Sequence, residues 1–115
     1  MVSEKVSFDY RGKRINLTAR KCGVFNFGLM FRTKNTKPCL FEFNKPQRFR
    51  LTSLFVFFDF IVLWLNEHNE VTDMRKINPF TFSISTKKEF SSIVEIPIND
   101  KYRNLVRILV GNRKI

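Results

Sequence analysis

Short apolar runs alternate with polar punctuation along this chain at a spacing that suits strands. Phe-x-Phe pairs recur at Phe25/Phe27, Phe41/Phe43, Phe55/Phe57, Phe58/Phe60 and Phe80/Phe82. A separation of two puts both rings on one face of a strand, whereas on a helix they would diverge. Turn-forming clusters separate the runs: Arg11-Gly12, Thr36-Lys37-Pro38, Asn44-Lys45-Pro46, Asn66 to Asn69, Asn78-Pro79 and Asn99-Asp100. Such residues favour turns through positive φ, fixed φ or side-chain bonds to their own backbone. The pattern predicts strands over Lys5–Tyr10, Arg14–Ala19, Cys39–Phe43, Phe49–Phe57, Phe60–Asn66, Val71–Ile77, Ser92–Ile96 and Leu105–Val110.

The densest block runs from Phe55 to Leu65 and holds one carboxylate, Asp59. The apolar alternation changes phase there, as it would at a bulge or tight bend joining two core strands. One short helix is expected between Arg20 and Phe31, where Val24, Phe27 and Phe31 fall at i, i+3 and i+7 and Thr18 could cap. Gly23 and Gly28 limit its length. The expected fold is therefore mainly β, a single-domain β-sandwich or barrel-like structure with one short helix over residues 1–115.

Composition agrees with one domain. The chain has 115 residues, 43% of them hydrophobic and 27% charged, and its 14 Phe side chains supply bulk for a single core. Counted through Asp59, Leu54 to Leu65 is twelve residues, short of the roughly 20 a spanning helix needs. Met1 to Lys5 shows no apolar leader segment, so a cytoplasmic protein without membrane association is expected.

Charge changes the picture more. The net charge is +11, and positions 10–50 carry eleven Lys and Arg against one acid, Glu42. Arg11, Lys13, Arg14, Arg20, Lys21, Arg32, Arg48 and Arg50 form the candidate patch for an anionic ligand, nucleic acid or another polyanion. Cations interleaved with aromatics suit a phosphate backbone, provided they share one face. A solvated basic surface without a specific partner is the plain alternative.

Catalytic constellations are sparse. Asp59 is a candidate pocket acid, because a carboxylate inside an aromatic run can be forced toward its neutral form. Its simpler role is that of a solvated bend residue. His68, the one histidine, sits in Asn66-Glu67-His68-Asn69-Glu70, which reads as a hairpin tip offering little to hold a general base. One histidine with the separated Cys22 and Cys39 does not make a zinc site. Those cysteines suit buried, reduced packing, although a bridge between them is left open. No phosphate loop or nucleophile elbow occurs among four glycines, so no catalytic residue, metal or cofactor is assigned.

The order of several segments is similar to a known family. Gly28-Leu29-Met30-Phe31-Arg32, Leu40-Phe41-Glu42-Phe43, Ser53 to Phe58, Val62-Leu63-Trp64-Leu65 and Ile93-Val94-Glu95-Ile96-Pro97 resemble the domain of unknown function 192 family, an uncharacterised protein family. The resemblance runs from about Ile15 to Ile115 and implies a compact β-sandwich or barrel-like domain with a short helix near Gly28. Val56 stands where the family has Met, and Asp59-Phe60-Ile61 where it has Pro-Leu-Asp. No reaction attaches to the family. The expected function is a non-catalytic β-type binding module, and the alternative is a nucleic-acid-binding accessory protein using residues 10–50.

Overall fold

Six strands form one continuous sheet in the order β1-β2-β3-β6-β4-β5. The structure is a computed structural model, and it describes residues 3–22, 33, 35–48, 56–81 and 83–111. The strands are β1 (Ser3–Tyr10), β2 (Lys13–Cys22), β3 (Cys39–Gln47), β4 (Phe60–Leu65), β5 (Val71–Ile77) and β6 (Phe90–Pro97). A 3-10 turn at Asp100–Tyr102 then leads into helix α1 (Arg103–Val110).

β1 and β2 form a hairpin paired residue for residue from Ser3/Arg20 to Tyr10/Lys13. Its tight turn places both Arg11 and Gly12 at positive φ, 49° and 78°. β2 and β3 are parallel, whereas β3 with β6, β6 with β4 and β4 with β5 pair antiparallel. Parallel neighbours require a long crossover, and the sixteen positions between Cys22 and Cys39 provide it. The two outer strands meet at one end, where the Asp9 amide donates to the Asn69 carbonyl at 2.9 Å. The sheet is thus curled toward a barrel, and the molecule measures 32 × 30 × 28 Å.

Curling gives the sheet two differently covered faces. The concave face buries Val6, Phe8, Ile15, Ala19, Leu40, Ile61, Leu63, Leu65, Val94 and Ile96 against Val106 and Leu109 of α1. The opposite face of the central strands buries Phe60, Val62, Trp64 and Ile93 beneath Val56, Phe58 and Ile84. Double-sided burial explains why all six residues of β4 are buried and why its sequence shows no alternation.

Most expected strands are present, with Val71–Ile77 matching at both ends and β4 one residue shorter than expected. The bend at Asp59 also occurs, β4 beginning at the next residue and the Asp59 carbonyl accepting from the Ile98 amide at 3.0 Å. Several expectations are corrected. Leu105–Val110 is helical, because Tyr102, Leu105, Val106, Leu109 and Val110 stand at i, i+3, i+4, i+7 and i+8 and give one apolar stripe. The expected helix from Arg20 starts inside β2, which continues to Cys22; its remaining residues lie outside the described ones. So does Phe49–Phe55 of the expected fourth strand, whose described residues Val56 and Phe57 belong to no strand. Asn44-Lys45-Pro46, expected as a turn, continues β3 to Gln47. No helix among the described residues is long and apolar enough to cross a membrane.

Candidate binding groove

From Arg14 to Thr18, one edge of β2 has no pairing strand among the described residues. β1 pairs with it along its length, whereas β3 pairs only with Arg20, Lys21 and Cys22. The Arg20 amide points to the β3 side, where it donates to the Pro38 carbonyl at 2.8 Å. Successive strand residues turn their N–H and C=O groups to opposite edges. Arg14, Asn16 and Thr18, in phase with Arg20, therefore present theirs on this same side, and no strand pairs with them among the described residues.

A groove of about 710 Å³ opens along this edge. One wall is β2 from Arg14 to Thr18, with Ile15 and Leu17 apolar; the other is Tyr102, Leu105 and Ile108. The Asn99 side chain builds the second wall by accepting from the Tyr102 amide at 3.1 Å, which caps the turn into α1. Val106 and Leu109 then anchor the helix, and the Tyr10 hydroxyl donates to the Leu109 carbonyl at 2.9 Å. This arrangement leaves Ile108, 51% exposed, facing out beside the groove. Among the described residues Arg14, Lys37 and Lys101 are its charged lining, and no carboxylate joins them.

The expected basic patch divides on folding. Arg14 is held by Asp9 at 2.6 Å, Lys21 lies 3.7 Å from Glu42, and Arg48 lies 4.0 Å from Glu89. Arg11 stacks over the Tyr10 ring at 5.2 Å, and Lys13 is exposed at the start of β2. Arg20 must be withdrawn from a surface patch, since it is only 7% exposed and its Nη2 donates to the Cys39 sulfur at 2.8 Å. Its position in phase with Cys22 and Cys39 turns it into the second core. Arg32 and Arg50 lie outside the described residues. Asp59 is half-buried at its bend, 3.8 Å from the Lys76 ammonium, and His68 is exposed beside Glu67 at the β4–β5 tip. Among the described residues no three His, Cys, Asp or Glu side chains converge as metal ligands.

A second polar constellation lies in the core. Strand registers align Arg20 with Cys39 and Cys39 with Glu95, so the three share the convex face together with Cys22. Glu95 is 6% exposed. The Cys22 thiol donates to the Cys39 sulfur at 2.6 Å, and no disulfide joins them. That hydrogen bond first, and then burial, push the Cys39 thiol far above the usual thiol range; the nearby Arg20 charge works against them. Cys39 is consequently a neutral thiol at physiological pH rather than a nucleophile. The sequence signal for this cluster was Glu95 within the apolar run Ile93–Ile96, a buried acid by phase alone.

Fold and groove together define a small curled β-sheet domain closed by a carboxy-terminal helix. The same architecture occurs in two crystal structures. A candidate transcription regulator from Sinorhizobium meliloti 1021 superposes with a TM-score of 0.75 at 15% identity, covering 91% of this chain and 87% of that one. A protein of unknown function from Novosphingobium aromaticivorans DSM 12444 superposes with a TM-score of 0.74 at 14% identity, covering 90% of this chain and 79% of that one. At such identities the likeness is one of fold. Neither a family model nor a curated protein matches the sequence.

Proposed function

We propose that this chain is a non-catalytic binding module, a divergent relative of the domain of unknown function 192 family, whose ligand seat is the groove between β2 and α1. The observation that carries this reading is the lining itself, apolar walls bordered by Arg14, Lys37 and Lys101, with no carboxylate among its described residues and Asp9, the partner of Arg14, outside it. Such a site favours a ligand with an apolar body and a negative group, because apolar walls contribute affinity and the charges orient the ligand. Nucleic acid is the weaker alternative. It would need the basic residues of the first half to act together, yet Arg20 is in the core and Arg14, Lys21 and Arg48 each face a carboxylate.

Titration with 4-phenylbutyrate, followed by amide NMR shifts, tests the seat. Shifts should concentrate at Asn16, Leu17, Leu105 and Ile108, and the double variant Lys37→Glu/Lys101→Glu should weaken binding at least about tenfold. Scattered shifts, or unchanged affinity in the double variant, would remove the groove from consideration. Titration with single-stranded dT oligonucleotide at increasing salt tests the alternative, since phosphate contacts lose affinity steeply with salt.

A further inference from the structure

We infer that the groove takes an extended acidic peptide, which adds a strand to the open edge of β2; this rests on the groove being the ligand seat. A bare anion or a compact ligand would use the cations and the apolar walls, but it would leave the backbone groups of Arg14, Asn16 and Thr18 without protein partners. Those groups form a regular ladder edge with no pairing strand among the described residues. An added strand satisfies alternate backbone groups along its length, while its side chains enter flanking pockets. The edge from Arg14 to Thr18 is five residues, about 16 Å at a strand's rise, so it matches a peptide of five or six residues.

Charge selects the partner. Arg14, Lys37 and Lys101 surround the edge, so pairing with the same edge of a second copy would bring like charges together. The chain's net charge of +11 adds to that repulsion. A strand alternating acidic and small apolar residues instead places its apolar side chains against Ile15, Leu17, Leu105 and Ile108 and its carboxylates within reach of the cations. Open sheet edges are ordinarily blunted or covered. Here α1 flanks the edge without pairing to it, which leaves a slot for one strand.

The probe is the fluorescein-labelled peptide Glu-Val-Glu-Val-Glu-Val, blocked at both ends and followed by fluorescence polarisation. It should bind saturably, and the matching Lys-Val peptide should not. Two further peptides carry N-methyl groups on one or the other alternate set of amides. One set should weaken binding at least about tenfold and the other should be tolerated, because only alternate amides of a strand face the protein. On the protein, Asn16→Pro removes one outward amide donor and should weaken binding at least about tenfold. Asn16→Ala keeps that donor and should bind normally. If Asn16→Pro does not fold, the N-methylated peptides decide alone.

Equal binding by all three Glu-Val peptides, with 4-phenylbutyrate still bound, would overturn strand addition while leaving the groove as the seat. Failure of both the peptide and 4-phenylbutyrate would overturn the groove reading itself. Displacement of the peptide by dT oligonucleotide at equal concentration would make nucleic acid the occupant. Sedimentation as a dimer that Asn16→Pro dissociates would make it a second copy. Either of these results overturns the peptide proposal.

Discussion

Replacing Leu109 with Ala should cost about 3 kcal/mol, because α1 is held chiefly by packing. Eight residues are too few for an independently stable helix, which needs about 12–15 even with favourable composition. Leu109 is 1% exposed, and Val106 beside it is fully buried against the concave face. Truncation removes three carbons from a closed site, a change that costs about 2.7–5 kcal/mol when the surroundings cannot collapse. The lower part of that range is expected here, since a terminal helix can shift inward. An unfolding entropy of about 2.1 cal/mol/K per residue converts 3 kcal/mol into a fall of about 12 °C in Tm. Ile108→Ala is the control. Its side chain is half exposed on the groove side, so it should cost under about 1 kcal/mol. Urea unfolding followed by Trp64 emission measures both, since that residue is the sole tryptophan and fully buried. Equal costs for the two variants, or a loss under 1 kcal/mol for Leu109→Ala, would refute the role assigned to the helix.

Two further outcomes follow from the titratable groups. Burial raises the Glu42 carboxyl above its ordinary value, reinforced by the adjacent Glu4 and partly opposed by Lys21. The folded state then binds more protons than the unfolded state, so Glu42's contribution is full below the ordinary carboxylate value and is lost as pH rises through the raised one. Glu42→Gln should flatten the decline of the urea midpoint with rising pH in that window, and a steeper decline would reverse the assignment. With Cys22 at 7% exposure and Cys39 at 0%, Ellman's reagent should label the native protein at least about tenfold more slowly than the urea-unfolded chain, because labelling requires opening. One thiol reacting at the unfolded rate would contradict the buried pair.

The alternating runs at Lys5–Tyr10, Phe41/Phe43 and Val71–Ile77 and the phase change at Asp59 are local signals that gave strands and a bend. By contrast, Phe57, Phe58 and Phe80 lie outside strands, and the Asn44-Lys45-Pro46 cluster, read as a turn, continues β3. Leu105–Val110 misled because Leu-Val-Arg-Ile-Leu-Val reads equally as a buried strand. Extending the window back to Tyr102 and Asn99 exposes the helical stripe and its cap. The basic patch was legible as composition and not as a surface. Whether Arg11, Lys13 and Arg14 act with Arg48 depends on strand register and ion pairing, which no single window of sequence contains.

By itself the sequence determined a strand-dominated chain with a strongly basic first half and a core strand at Phe60–Leu65. Those properties follow from side-chain period, size and charge, which neighbouring residues express without help from distant ones. Only the tertiary structure decided that β2 loses β3 as a partner below Arg20, and that α1 stands beside the exposed edge. It alone also turned Arg20 and Glu95 into the core beside Cys39. Each of these depends on pairing between residues far apart in the chain. The groove is a gap between paired elements, and such a gap has no residue pattern of its own.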